Sequence, residues 1–225
     1  MNKTLSPLML RQIKSFWRWF VENENQIKTE FIKNSKESEL FNLLDKKIGY
    51  VSKRIGYTIL SIQTNPQKLK LTITAHGYRK LFPKVNGLID NSPKLENWEF
   101  LAFIKPNTDL AIYKEGRDFP FVYFDAKVKI SEMFFKPIEF NANTKKMKIE
   151  VFVKNYNEHE NTRNFKNLVN IILIDLIGEI NYKRNISYVK ISRLPANPVN
   201  LIHLYELFEY VDFLNKINRR VKIEI

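Results

Sequence analysis

The feature that most constrains this fold is a pattern that occurs twice along the chain. In each occurrence, alternating apolar residues are followed by apolar residues at helical spacing and then by alternation again. In its first occurrence, apolar residues alternate over Tyr57–Gln63 and Leu69–Thr74, and turn formers are concentrated in Thr64–Gln67 between them. Helical spacing follows over Leu81–Ile89, and alternation returns in Trp98–Ile104. These segments predict a β-hairpin, a helix and a third strand, in the order ββαβ.

The second half of the chain repeats this order. Phe135–Phe140 and Met147–Val153 flank a loop of turn formers and predict a second hairpin. Helical spacing then covers Asn164–Glu179, and the polar segment Asn181–Asn185 is typical of a connection. The alternation in Ser187–Arg193 predicts the closing strand, so both halves share one order of elements.

The shared order predicts an α+β fold in which residues 56–105 and 130–194 are fused ββαβ pseudo-repeats. Consecutive hairpins predict one largely antiparallel sheet with helices on one face. The aromatic segment Phe119–Phe124 is available to cover the other face. Because no Gly-, Ser- or Pro-rich linker separates the halves, we expect residues 1–225 to form a single domain, with 106–120 as its only seam.

Helices are predicted at both ends of the chain. Ser6 is typical of an N-cap, and helical spacing continues from there to Phe31. A shorter helix is predicted from Ser38 to just before Gly49, and a C-terminal helix around Leu201–Leu214.

Composition limits the class of protein further. The chain contains no cysteine, which excludes disulfides and thiolate metal sites, and it shows no secretory leader pattern, so we expect a cytoplasmic protein. The longest apolar stretch, Leu168–Ile177, is about half of a membrane span and contains Asn170 and Asp175, so we interpret it as a buried helix. We therefore expect no membrane segment, no metal and no cofactor.

The net charge of +13 favours anionic partners in general, but the excess is spread along the whole chain, which favours a solvated surface. Lysines alternate in Lys127–Ile130 and in Lys145–Lys148, where they would make a sheet edge basic or protect it against aggregation. The basic segment Arg219–Lys222 is open to the same two interpretations. Nucleic-acid binding is an alternative that lacks the aromatic pattern of an RNA-recognition motif.

Several titratable residues are candidates for chemistry. His76 follows the first hairpin and is a candidate pH-sensitive group or general base, or simply a cap. Asp175 and Glu179 are four residues apart and are predicted to share one helix face. They would either pair with nearby bases such as Lys190 and Arg193 or form a cation or acid–base site. The chain has three histidines, none at metal-ligand spacing from another: His76, His159 and His203.

An aromatic and basic cluster lies in the first helix. Trp17 and Phe20 fall on its apolar stripe and are predicted core residues. Trp19 lies on the adjoining face and is open to two interpretations: it packs in the core or, with Arg18, it stacks on a base or anchors a protein interface.

Three segments carry recognisable motifs: FWRWFVENE at Phe16–Glu24, HGYRKLFPKVNGLIDNSPKLENW at His76–Trp98, and ILIDLIGE at Ile172–Glu179. Together they resemble an uncharacterised bacterial protein family with aromatic N-terminal helices, an FP-containing central helix and an LDxxGE-type helix. The resemblance touches most of the chain and implies this architecture, but it implies no catalytic residue because the family has no established activity. Similar sequences carry Asp where this chain has His76, which weakens the case for a charged role there.

The sequence contains no glycine-rich phosphate loop, no G-x-S-x-G, no H-E-x-x-H and no cysteine nucleophile. We therefore expect a non-enzymatic, adaptor-like or immunity-like protein that presents one sheet face to a protein partner, in particular an acidic one. Two alternatives stay open. One is nucleic-acid binding through the basic surface, and the other is an enzyme or small-molecule site at His76 or at the Asp175 and Glu179 pair.

Overall fold

A computed structural model describes residues 5–33, 38–62, 65–154, 156–157 and 162–220. The chain divides into two compact units, unit 1 over residues 1–104 and unit 2 over residues 105–225. One predicted pseudo-repeat falls in each unit, while the single domain stays a prediction. No helix within the described ranges is long and apolar enough to cross a bilayer.

In unit 1, two helices precede a hairpin, a third helix and a third strand. Strand β2 is central, because it pairs antiparallel with β1 and parallel with β3. A helix between two neighbouring strands returns the chain to the same end of the sheet, which makes those strands parallel. The elements are α1 Pro7–Ile32, α2 Glu39–Val51, β1 Gly56–Ile62, β2 Asn65–Thr74, α3 Phe82–Asp90 and β3 Trp98–Ala102.

An aromatic cluster joins α1 to the sheet of unit 1. The ring centroid of Phe20 lies 5.0 Å from that of Trp98 and 5.5 Å from that of Phe100, and Trp17 lies 4.7 Å from Phe100. The indole N–H of Trp17 donates to the carbonyl oxygen of Leu88 at 2.7 Å, so its one polar group is satisfied on burial. The prediction that Trp17 and Phe20 are core residues is confirmed.

Unit 2 contains a two-stranded hairpin and a four-stranded sheet. The four strands lie in the order β8-β7-β6-β9, with β7 and β8 parallel and the other pairs antiparallel. The elements are α4 Ala111–Lys114, β4 Phe121–Tyr123, β5 Ala126–Val128, β6 Phe134–Asn141, β7 Lys146–Val153, α5 Thr162–Ile177, α6 Glu179–Asn185, β8 Ile186–Arg193, β9 Ile202–His203 and α7 Leu207–Arg220.

The core of unit 2 lies between one face of the four-stranded sheet and α5. Every second residue of β7 is buried in it, as expected where successive side chains point to opposite faces. The members from these two elements include Met147, Ile149, Val151, Val153, Leu168, Ile172 and Leu176. The continuous apolar run in the sequence is therefore a buried helix, as predicted.

The α+β class, the predominance of antiparallel pairing and the helices at both ends are confirmed. The strands within the described ranges form three separate sheets, so the prediction of one sheet is wrong. The connection between the repeats contains α4 and the β4–β5 hairpin, which makes a sheet of its own. Both units show a hairpin, a helix and a third strand parallel to the second, while their origin by duplication stays a prediction.

Some element boundaries differ from the prediction. Helix α2 continues past Gly49, because Val51 is buried and adds a turn that packing stabilises. The segment 181–185, predicted as a connection, is part of α6. Within the predicted hairpin turn, Thr64 lies outside the described residues, and β2 already begins at Asn65.

Candidate functional site

A groove with an apolar lining lies in unit 2 beside the β4–β5 hairpin. We call it the hairpin groove, and its cavity has a volume of about 330 Å³. Val128, Met133 and Val153 are buried and provide its apolar surface. The remaining lining residues are Pro120, Lys127, Lys129, Glu132 and Lys154.

The hairpin places residues of the groove by strand alternation. Phe121 pairs with Val128, and Val122 pairs with Lys127. Because successive side chains of a strand point to opposite faces, the first pair packs on the core while the second faces outward. The turn contains Phe124 with a φ of 53°, and its side chain is 77% exposed.

The loop before β4 presents a second exposed ring, Phe119, which is 88% exposed. Two hydrogen bonds hold this loop against the residues after β5. The backbone N–H of Ser131 donates to the carboxylate of buried Asp118 at 3.2 Å, and the Lys129 ammonium donates to the carbonyl oxygen of Gly116 at 3.0 Å. The residues just before Phe119 are therefore tethered, while its ring stays exposed.

Lysines outnumber acidic residues around the groove. Glu132 forms a salt bridge with Lys154 at 3.7 Å. Lys127 and Lys129 form no salt bridge within the part of the chain that the structure describes. The hairpin groove thus combines apolar surface with an excess of positive charge.

A single buried carboxylate, paired with lysines, lies at the centre of the outer face of the four-stranded sheet. Glu150 on β7 accepts hydrogen bonds from Lys136 at 3.0 Å, from Lys190 at 2.8 Å and from the Ser192 hydroxyl at 2.7 Å. Burial by itself raises the pKa of Glu150, but the hydrogen bonds from Lys190, Ser192 and Lys136 outweigh it and lower the pKa to about 2. This arrangement stabilises the sheet and leaves the carboxylate saturated with donors.

The prediction that Asp175 and Glu179 share one helix face is wrong, because a helix ends between them. Gly178 has a φ of 78° and separates α5 from α6. Asp175 lies in the last turn of α5, whereas Glu179 is fully buried and begins α6. Lys190, predicted as a partner of this pair, forms a salt bridge with Glu150.

Asp175 belongs to a polar network that fixes the first loop of unit 2. The backbone N–H of Asn107 donates to the carbonyl oxygen of Asp175 at 2.9 Å, and the Asn107 side chain bonds the Asp175 carboxylate and, at 3.2 Å, the Tyr113 hydroxyl. Burial raises the pKa of Asp175 and that of Tyr113, and the Asp175 carboxylate raises the latter further. Four cavities in the described part of the chain are lined by residues other than His76, Asp175 and Glu179.

The other predicted site residues are dispersed over the surface. Arg18 and Arg193 are exposed, and His76 lies in an exposed turn of unit 1. Trp19 is half-buried, and the Lys47 ammonium lies 5.9 Å from its ring centroid. Two further candidates fall outside the described side chains: His159 and Arg219–Lys222.

Sequence reasoning recognised the two segments that form the hairpin groove but did not bring them together. Phe119–Phe124 is so rich in aromatic residues that it resembles a core segment, and Lys127–Ile130 resembles a sheet edge. The missing signal is the two-residue turn at Phe124 and Asp125, which pairs two three-residue strands and sets both segments side by side.

Comparisons with known proteins add no further information about this site. No family model matches the chain, and no similar curated protein or solved structure is found. The resemblance to an uncharacterised bacterial family stays a prediction, and the function is argued from the residues of the chain itself.

Proposed function

We propose that the chain is a cytoplasmic, non-enzymatic, adaptor-like protein whose hairpin groove binds an acidic segment of a partner protein. One observation carries this proposal. Two exposed rings, Phe119 and Phe124, lie on the same hairpin and loop as a lysine-rimmed cavity with an apolar lining. Exposed aromatic residues beside a groove are typical of the central contacts of protein interfaces.

Burial of the two rings supplies the driving force. Removing a side chain of this size from water contributes about 1.5–3 kcal/mol. Because the hydrogen bonds of Asp118 and Lys129 already order the loop, binding costs little further conformational entropy. An aliphatic side chain of the partner fits the cavity and would contact its apolar lining.

The lysines select what flanks that aliphatic residue. Lys127 and Lys129 attract glutamate or aspartate on either side of it and repel basic residues. Such solvent-exposed pairs contribute mainly to orientation and association rate. The expected partner segment is therefore an aliphatic anchor between acidic residues.

Removal of the exposed rings tests the apolar part of this proposal. The double variant Phe119→Ser with Phe124→Ser should weaken binding of a labelled peptide with leucine between glutamates by at least about tenfold, as measured by fluorescence anisotropy. Phe213→Ser removes a ring that is 58% exposed on α7 and should leave the Kd unchanged. Equal losses in the two variants, or no binding by the wild-type chain, would contradict the proposal.

Reversal of one charge tests the electrostatic part. Lys127→Glu should slow association of the acidic peptide and reduce the dependence of its rate on salt, because the variant removes a cation at the binding site. Lys114→Glu changes the net charge equally at an exposed position of α4 and should have a much smaller effect. Identical stopped-flow rates for the two variants would mean that only net charge matters and would argue against the groove.

A further inference from the structure

A long stretch of unit 1 contains no acidic residue. From Lys46 to Ile89 the sequence has neither Asp nor Glu, so the prediction of an evenly spread charge is wrong for this segment. Its basic residues are Lys46, Lys47, Lys53, Arg54, Lys68, Lys70, Arg79, Lys80 and Lys84.

The fold brings two loops of this stretch together. The Arg54 guanidinium lies 5.9 Å from the ring centroid of Tyr78, and the Lys84 ammonium donates to the carbonyl oxygen of Val51 at 3.4 Å. These contacts join the end of α2 and the loop after it to the connection between β2 and α3 and to the first turn of α3. We call the resulting surface the basic end of unit 1, and its charged or titratable members are Lys53, Arg54, His76, Arg79, Lys80 and Lys84.

The turn that carries His76 has a fixed and strained backbone. His76 has a φ of 48°, which is uncommon for a residue with a side chain. Its N–H donates to the Thr74 hydroxyl at 3.0 Å, and the N–H of Tyr78 donates to the carbonyl oxygen of Ala75 at 2.9 Å. The imidazole lies so close to Gly56 that a Cβ there would be 2.4 Å from Nε2. The turn therefore presents His76 and Tyr78 in one defined arrangement.

The cations of this surface are available to a ligand. Lys53, Arg54, Arg79 and Lys80 are exposed and form no salt bridge with any described residue. The nearest preceding acid in the sequence, Asp45, bonds the hydroxyl of half-buried Tyr57. Uncompensated cations gathered on adjacent loops are the electrostatic footprint of a polyanion site.

We infer that the basic end of unit 1 binds the phosphate backbone of a nucleic acid. Several exposed cations match a regularly charged backbone, and the exposed rings of Tyr78 and His76 are available to stack on bases. This surface differs from the hairpin groove, where an apolar cavity accompanies the lysines and favours a protein segment. The inference does not depend on the proposed protein-binding function, because it concerns other residues in another unit.

A matched pair of triple variants tests the inference. The patch variant combines Lys53→Gln, Arg79→Gln and Lys80→Gln, and it leaves the contact between Arg54 and Tyr78 in place. The control variant changes three exposed cations elsewhere in unit 1 and alters the net charge equally: Arg11→Gln, Lys14→Gln and Lys94→Gln. Melting curves followed by circular dichroism establish that both variants fold, as their exposed positions predict.

Fluorescence anisotropy with a labelled single-stranded RNA, the matching single-stranded DNA and its duplex gives the readout between about 50 and 200 mM salt. The patch variant should bind at least about tenfold more weakly. For the single strands, the plot of log K against log salt should also become less steep by about 2, because about 0.7 counterions are released per contact and three contacts are removed. The control should lose less than about threefold. Absent binding at low salt, equal losses in both variants, or displacement of the RNA by an equally charged polyglutamate would overturn the inference.

Discussion

At the scale of single residues, Glu150 shows how the fold accommodates a carboxylate with little access to water. Its three donors come from both neighbouring strands, so one side chain connects β6, β7 and β8. The lysine partners are about half exposed, at 48% and 53%, which screens the attraction and limits what each pair contributes.

Glu150→Gln should lower the free energy of unfolding by about 1–3 kcal/mol at neutral pH, because it removes charge-assisted hydrogen bonds at a buried position. Glu139→Gln is the control, since Glu139 forms its salt bridge with Lys148 in an exposed setting and should cost less than about 1 kcal/mol. Urea denaturation followed by far-UV circular dichroism, which reports on the helices and strands of both units, measures both. Equal costs would mean that burial adds nothing to the Glu150 cluster.

The Glu150→Gln variant also tests how the contribution of Glu150 to the free energy of unfolding depends on pH. The folded pKa of Glu150 is lowered from 4.5 to about 2, so the stability from its ionised form is fully present above pH 4.5 and is lost as the pH falls through 2. The difference in unfolding free energy between wild type and Glu150→Gln should therefore narrow below pH 4.5. A difference that stays constant down to pH 2 would contradict this account of the cluster.

At the scale of elements, Gly178 determines where α5 ends. Its φ of 78° and ψ of 148° define a backbone conformation that is almost restricted to glycine. A Cβ there would also lie 2.7 Å from Cδ of Pro106 and 2.9 Å from its backbone nitrogen. Both constraints act at the position where α5 ends and α6 begins, between Asp175 and Glu179.

Gly178→Ala should destabilise the chain by about 2–5 kcal/mol, because the new methyl group meets backbone strain and a steric clash together. Gly116→Ala is the control, since Gly116 has a φ of 66° but nothing within 4 Å of the added atom, and it should cost only about 1–2 kcal/mol. Thermal melts of the two variants give the comparison. Equal shifts in Tm would show that Pro106 is free to move.

Most elements could be predicted from periodicity, but their pairing could not. Alternation located β2 and β7, and helical spacing located α3 and α5, because those periods follow directly from side-chain direction. The parallel pairing of the third strand in each unit depends on the helix that precedes that strand. A prediction based only on hairpins therefore underestimates the amount of parallel pairing. The helix break at Gly178 depends on the backbone conformation of that glycine, and the apolar run before it in the sequence does not indicate this conformation.

At the scale of the whole molecule, the distribution of charge mattered more than its sum. When the chain is divided into long segments, each segment carries a similar share of the net charge of +13. Sums over such long segments do not reveal the acid-free stretch from Lys46 to Ile89. The candidate site could not be predicted from the sequence for a different reason. Exposed Phe119 and Phe124 belong to a sequence that resembles core, and only the three-dimensional structure separates rings that face solvent from rings that pack inward.

The central claim is that the hairpin groove of unit 2 binds an acidic segment with an aliphatic anchor. Titration of the uniformly ¹⁵N-labelled chain with the leucine and glutamate peptide, followed by amide chemical shifts, tests it most directly. We predict that the largest shifts fall on residues 118–133 and 153–154, and that replacing the leucine by alanine removes them. Shifts centred on residues 52–55 and 76–80, or no shifts at all, would contradict the claim.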